Sequence, residues 1–370
     1  MIINRTTMGK ISGFTLVEAL IGLALSSAIM LGVSQLFVAN AKTYNLLAGQ
    51  SAMQESGRFA LGIITRSAQA SGYKGCFSTN ADTHKTFLAD IPYEFNLDQP
   101  IIGYEGGSTT WAPNISNSLP STVGTTDTHV YKSSGIGAGT GIDITTIVNG
   151  TDIITLNYLP QKTHRLKIDM PTNTADIQTA TQDFDFAAEH IVFIHDCEKQ
   201  TFFRVSGIAG DLIEHATSVD ADGYTNANIL ARFGAFKSSA YVSAIASETY
   251  YVAPSEGTNN SGQNPLSLWR KSGIAPPTEL VDGIEDLQIK YGVDTDNDKI
   301  PNRYVDAGAV INFDDVRSLR ITIVATSIND VDGTSTPTHG CGTQYCKPGT
   351  ATDGLLRRTF SQTVALRNGR

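Results

Sequence analysis

The chain has 370 residues, 41% of them hydrophobic and 17% charged, which excludes a disordered protein and allows one large domain or two smaller ones with a real core. Its formal net charge of −9 argues against a body built mainly to hold nucleic acid, because phosphate binding needs clustered Lys and Arg. Gly, Ser, Thr, Asn and Asp are plentiful between the apolar runs, which points to strands joined by many loops.

The chain begins MIINRTTMGKISG, with two cations, Arg5 and Lys10, and no acid. A basic flank ahead of an apolar run keeps the start of the chain in the cytoplasm and sends the remainder outward. The run itself, FTLVEALIGLALSSAIMLGVSQLFVA over residues 14–39, is long enough to cross a bilayer, and its one charge is Glu18. A secretory signal would have a shorter apolar core that ends in a small-x-small cleavage site. Here the small residue, Gly13, precedes the run, so cleavage belongs at the near edge and the apolar segment stays in the mature chain. A carboxylate deep in a lipid-facing helix costs roughly 3 kcal/mol or more, so Glu18 needs a partner. If Phe14 becomes the new N-terminus, its amine lies one helical turn from Glu18.

The helix is expected to run on past the membrane. Leu46, Met53, Ala60 and Ile64 recur as one stripe, with Gln50, Gln54, Glu55, Arg58 and Arg66 among the remaining positions. No Pro falls within residues 14–70, and Gly72 and Gly75 supply the stop. The organisation is therefore a leader over 1–13, a transmembrane and polymerisation helix over 14–39, its amphipathic extension over 40–72, and a head over 73–370. Residues 77–150 have scattered apolar positions and runs such as GIGAGTGID, and are expected to be a loop-rich insertion with little regular structure. Strands are expected at 152–159, 190–196, 201–207, 247–253, 266–272, 287–293, 318–327 and 360–368, which are rich in β-branched and aromatic residues. Several alternate as an antiparallel sheet with one covered face would.

Gly13-Phe14-Thr15-Leu16-Val17-Glu18, behind a basic leader and ahead of an apolar run, resembles the class III signal of type IV pilins and type II secretion pseudopilins. The resemblance implies that a prepilin peptidase cuts between Gly13 and Phe14 and N-methylates Phe14. It also implies that Glu18 pairs with the amine of a neighbouring subunit. Further on, ETYYVAP, LSLWRKS, ELVDGIEDLQIKYGVDTDND, VRSLRITIVATS and RRTFSQTVALRN resemble, in that order, the PilW family of minor pilins; GspJ-type pseudopilins are similar over a shorter version of the pattern.

That resemblance implies an α+β fold: a long N-terminal pilin helix, transmembrane then amphipathic, packed on an antiparallel sheet head. It implies a low-abundance subunit of the tip complex that primes pilus assembly and so supports twitching, adhesion or DNA uptake. Its partners would be other minor pilins, the major pilin, prepilin peptidase, the inner-membrane assembly platform and a tip adhesin. The chain would sit in the inner membrane with its head in the periplasm before assembly, and at the pilus tip afterwards. Two other readings remain beside it: a minor pseudopilin of type II secretion, and a tip adhesin or ligand-binding module. Removing the leader takes Arg5 and Lys10 with it and moves the side-chain charge from −9 to −11, which disfavours direct DNA binding.

The four cysteines are Cys76, Cys197, Cys341 and Cys346, and an even count in an exported head favours disulfides. Cys341 and Cys346 enclose the short loop GTQY, which leaves Cys76, at the end of the helix, to pair with Cys197 after the 190–196 strand. Zinc is a weaker alternative: His339 lies beside two thiols in THGCGTQYC but has no obvious fourth ligand. GxSxG, HExxH and P-loop signatures are missing, and the seven histidines are dispersed, so the reading is an assembly subunit and not an enzyme. His190 and His195 are expected on one strand, facing opposite ways. No required cofactor is expected. Calcium is the one metal candidate: in DTDNDKIPNRYVDA, Asp294, Asp296 and Asp298 match the carboxylate positions of an EF-hand-type loop, followed by the Ile300 carbonyl and Asn302 or Asp306. Lys299 stands where the sharp-turn Gly belongs, and the alternative is a solvated acidic turn.

Overall fold

The computed structural model describes residues 13, 15–75, 84–86, 97, 100–107, 111–112, 142, 145–160, 162–188, 190–196, 198–217, 226, 234–273, 275–330 and 354–367. Helix α1 runs from Leu16 to Ala70, 55 residues without a Pro, which at about 1.5 Å per residue gives a rod of about 80 Å. At its end the Ser71 N–H donates to the Ser67 carbonyl (2.9 Å), Gly72 takes φ 76°, and the Gly72 N–H donates to Asn157. The stop lies where the glycines placed it.

The body is β-rich. In chain order its strands are β1 (His84–Thr86), β2 (Ile101–Gly106), β3 (Trp111–Ala112), β4 (Ile153–Tyr158), β5 (His164–Arg165) and β6 (Ile177–Gln178). They continue with β7 (Ile191–His195), β8 (Gln200–Arg204), β9 (Gly207–Ala209), β10 (Leu212–Glu214), β11 (Tyr241–Ala244) and β12 (Ala246–Pro254). The last six are β13 (Leu266–Ser272), β14 (Thr278–Asp282), β15 (Ile284–Val293), β16 (Arg303–Val305), β17 (Val316–Thr326) and β18 (Arg357–Ala365).

Among the described residues these make four sheets where the sequence suggested one. A six-stranded sheet has the order β14-β13-β12-β4-β2-β3 and a four-stranded sheet β16-β15-β17-β18. A five-stranded sheet, β1-β8-β7-β11-β5, and a three-stranded one, β6-β10-β9, are drawn, β1 apart, from the chain between β4 and β12. All pairings are antiparallel except β1 with β8. The fold is thus α+β, with the long helix packed on antiparallel sheet.

The main core joins α1 to the six- and four-stranded sheets. Met53, Ala60, Leu61, Ile64 and Ala68 of the helix are buried against residues such as Tyr250, Ile321 and Ile323. Each large side chain so buried contributes about 1.5–3 kcal/mol. Leu46, expected in the same stripe, is 39% exposed, so the docked part of α1 starts later than the pattern suggested. A second core, including Ile177, Val192, Phe203, Ile213 and Val242, draws from both the five- and three-stranded sheets.

The stretch expected to be loop-rich contains β2, an integral strand of the six-stranded sheet that pairs with β4 from Ile101↔Leu156 to Tyr104↔Ile153. Its Gly103 hides the strand in the sequence, since Gly is depleted in strands. The glycine is needed because the Tyr291 hydroxyl stands where a Cβ would be.

Candidate functional site

The N-terminal end of α1 is built by Thr15 and Glu18. Thr15 has an extended backbone (φ −82°, ψ 149°), and its hydroxyl accepts the Glu18 N–H at 3.2 Å. In return, Glu18 Oε2 accepts from the Thr15 N–H and from the Thr15 hydroxyl, both at 3.0 Å. This is a reciprocal capping box, which satisfies two backbone donors that a helix start otherwise leaves open. Treating Glu18 only as an acid in search of an amine overlooked this role, although Thr-x-x-Glu at a helix start is its sequence signal. Gly13 is exposed, with open space around the position of a Cβ. Phe14 lies outside the described residues.

Beyond Glu18 the helix is apolar and uncovered. Leu20, Leu31 and Phe37 are 58%, 66% and 71% exposed, and the most apolar stretch of α1 has no residue buried against the body. Ser26, Ser34 and Thr43 donate to the carbonyls of Gly22, Met30 and Ala39 one turn back, so their hydroxyls need no outside partner. By length and composition this is a candidate membrane anchor.

The other half of α1 is locked to the head by shape and by a polar cluster. Gly57 faces the Phe360 ring of β18. Ser67 Oγ donates to Glu248 Oε2, which also accepts from the Tyr250 hydroxyl at 2.6 Å; Arg270 Nη1 lies 3.4 Å from Glu248 Oε1. Glu248 is 8% exposed, so its charge is held by these donors rather than by water. Burial, with the Glu248 charge adding to it, pushes the Tyr158 hydroxyl nearby up to about 12.

The acidic loop after β15 is brought together as its spacing suggested. Asp294, Asp296 and Asp298 place carboxylate oxygens within 4.8 Å of one another. Yet the Asp294 side chain is only 1% exposed and already well supplied with donors. It accepts from the N–H groups of Asn297 (2.7 Å) and Lys299 (2.9 Å) and from Arg317 Nε (3.3 Å). Desolvation raises the Asp294 carboxyl, but the Lys299 and Asn297 N–H groups and the Arg317 guanidinium outweigh it and hold it below the usual carboxylate range. Lys299 takes φ 72°, the left-handed conformation a Gly would take there, at a cost of roughly 1–2 kcal/mol.

Two of the other expected ligands, Asn302 and Asp306, are engaged elsewhere. Asn302 Oδ1 accepts from the Thr295 N–H and hydroxyl, and Asp306 is ion-paired with Lys290. The Ile300 N–H donates to Asp298 Oδ1 at 2.8 Å. The side chains that converge for a cation are therefore the three acids Asp294, Asp296 and Asp298.

Three buried polar sites lay beyond the sequence pattern. His164 bridges Thr181 Oγ1 (Nδ1, 3.2 Å) and Asp185 Oδ1 (Nε2, 3.0 Å), a hydroxyl–imidazole–carboxylate series. The ring packs against Phe184 and Phe186 and is 2% exposed, which leaves no approach for a substrate. Asp152, 1% exposed, accepts from the N–H groups of Gly106 (2.9 Å) and Ile289 (2.7 Å), clamping β2 to β15. His195 is buried, and among the described residues neither of its ring nitrogens has a hydrogen-bond partner. It stacks on Phe193, and a Cβ on Gly75 would stand 3.1 Å from its Cε1. His190, expected on the same strand, is half-buried and lies just before it. Cys76, Cys197, Cys341, Cys346 and His339 lie outside the described residues.

Residues 249–368 match the family model described as PilW, Type IV Pilus-assembly protein W. The match covers most of β12 and then β13 to β18, which supply much of the surface on which α1 docks. It ties this part of the chain to a pilus-assembly family, which is not a known enzyme class. No curated protein matches the chain.

Proposed function

We propose, on the premise that residues 249–368 form a type IV pilus-assembly protein W region, that the chain is a minor pilin of the tip complex that primes pilus assembly. In this reading prepilin peptidase removes residues 1–13, Phe14 becomes an N-methylated amine, and the apolar half of α1 moves from the inner membrane into the filament among other minor pilins and the major pilin. The observation that carries it is the uncovered apolar run of α1, whose sole charge is held at the capped end while the opposite half is fixed to the head.

Cleavage after Gly13 would create an amine one residue before Thr15, whose N–H Glu18 already holds. In an apolar filament core a neighbour's amine and Glu18 would attract far more strongly than in water, although desolvation offsets part of the gain. That pairing sets the stagger between subunits, and the capping box keeps the carboxylate at the helix end until the amine arrives.

Two variants test the reading. Gly13→Leu should retain the leader on a gel and stay out of sheared filaments, because the peptidase must fit a small residue at the cut. Glu18→Ala should be processed normally and keep a protease-resistant head, since the capping box lies far from it, but should be lost from the filament fraction. Normal processing of the first, or normal incorporation of the second, would overturn the corresponding step.

A further inference from the structure

β17 has eleven residues, and one of them, Arg320, is exposed. It lies on the face of the four-stranded sheet opposite to α1, since Leu319, Ile321 and Ile323 on the alternate face join the helix-packed core. The register fixes its surroundings. Lys290 and Thr363 are directly opposite, Gln288, Gly292, Ser361 and Ala365 are diagonal, and Ser318 and Thr322 flank it on its own strand. None of these eight is a carboxylate, and one is a second cation.

The guanidinium is held in place. Its carbon lies 4.2 Å from the centre of the Tyr304 ring, and the Tyr304 hydroxyl is 2.9 Å from Ser318 Oγ. Gly292 makes room for this platform, because a Cβ there would stand 3.1 Å from Tyr304 Cε1 and closer still to Ser318. The neighbouring cations are engaged in other ways: Lys290 with Asp306, Arg317 with Asp294, Arg357 with Glu285. Arg358 stacks over Phe360 on the helix-facing side. Among the described residues, Arg320 forms no ion pair.

Like charges directly opposite each other in a sheet are unfavourable, and Asp306 compensates only Lys290. We propose that Arg320 is the docking point for a carboxylate side chain of an adjacent pilus subunit. A guanidinium stacked on a ring loses little freedom when it pairs, and its planar fork takes a carboxylate through two parallel N–H bonds. Exposed Thr363 and Ser361, the latter 3.0 Å from Thr322 Oγ1, give the site a polar rim of hydroxyls. A protein carboxylate fits better than nucleic acid, since phosphate binding draws on many cations and this chain carries a net charge of −9. The proposal rests on the reading of the chain as a pilus subunit.

The test uses the full chain expressed in its pilus system, with Arg320→Glu and Arg320→Gln beside wild type. Sheared filaments are isolated at low and high salt, and the subunit in them is measured against its membrane level. Wild type should be present, Arg320→Glu reduced at least tenfold and Arg320→Gln reduced less, with membrane levels and protease resistance of the head unchanged. High salt should lower wild-type retention more than that of Arg320→Gln, as screening of one ion pair requires. Should Arg320→Glu prove protease-sensitive, Arg320→Gln carries the comparison. Wild-type incorporation of both variants would overturn the docking role while leaving the pilus reading intact. Absence of wild type itself from filaments would overturn both. Normal incorporation of Arg320→Glu with weakened binding to duplex DNA would assign the site to phosphate and overturn the protein partner.

Discussion

Gly57 of α1 faces the ring of Phe360 in β18 so closely that a Cβ on Gly57 would stand 2.4 Å from Phe360 Cε2. The helix and the C-terminal strand can approach to this distance only because residue 57 has no side chain. Gly57→Leu should therefore destabilise the docking of α1 on the head. Overpacking a filled interface costs about 1–3 kcal/mol, against a gain of about 1 kcal/mol in helix propensity over Gly. A lower melting midpoint of the full chain in detergent is expected; an unchanged or raised one would show that the ring swings aside freely.

The acidic loop separates a structural role from a metal role. Asp294 accepts two backbone N–H groups and pairs with Arg317, so Asp294→Ala should lower the melting midpoint by several degrees in chelator as well as in calcium. Exposed Asp296 and Asp298 should tolerate Asn in chelator. If Asp294→Ala is silent in chelator and harmful only with calcium, the carboxylate is a ligand and not a loop cap.

The buried carboxyl of Asp152 predicts a pH slope. Desolvation raises it well above its ordinary value, the Glu105 and Asp286 charges add to this, and the Gly106 and Ile289 N–H groups act against it. The folded chain thus holds this proton more tightly than the unfolded chain does, and stability falls as pH rises from the ordinary carboxylate range through the raised value. Asp294 shifts the opposite way, so its contribution is lost only as pH falls below that range. Burial lowers His190, His195 and His215, which by itself makes stability rise with pH up to the ordinary imidazole range. The Asp152 contribution is therefore read as a difference: between pH 5 and pH 8 the midpoint of Asp152→Asn should fall less, or rise more, than that of wild type. An equal slope in the variant would assign any fall to other groups, Glu105 first, whose carboxyl burial also raises.

Cysteine pairing has a structural neighbour to lean on. Gly75 abuts His195, and these residues stand one and two positions from Cys76 and Cys197. Peptide mapping without reductant should find Cys76–Cys197 and Cys341–Cys346. Loss of the first should make the head protease-sensitive, since a bridge closing about 120 residues stabilises by a few kcal/mol in the chain-entropy model, roughly 4–5. Free thiols or crossed pairs would overturn the assignment.

What was legible in the sequence was what repeats with a period. The apolar run and the stripe through Met53, Ala60 and Ile64 gave α1, and runs such as LQIKYGV gave the long strands. What escaped depended on distant partners. β2 carries a Gly at 103 because Tyr291, far along the chain, fills the space, so its local composition argued against a strand. The spacing of Asp294, Asp296 and Asp298 was legible as three acids close together, but Arg317, which pairs with Asp294, comes from β17 and left no mark on the loop itself. The division into several sheets is likewise a matter of long-range pairing, to which alternation within one strand is blind.

The polar cluster of Ser67 and Glu248, with the Gly57 contact, has a directional consequence. Both fix the rotation of α1 about its own axis relative to the body, since at about 100° per residue Gly57 and Ser67 point about 80° apart and a single rotation satisfies both contacts. The same rod continues unbroken to Thr15. In the proposed filament, whatever grips the apolar end would therefore also aim the body, and side chains tens of ångströms away would set the heading of Arg320 about the filament axis. A tilt of about 5° at the gripped end of a rod of about 80 Å displaces the far end by about 7 Å. Small errors in how the N-terminal turn is seated would thus decide whether the body meets its neighbour or misses it.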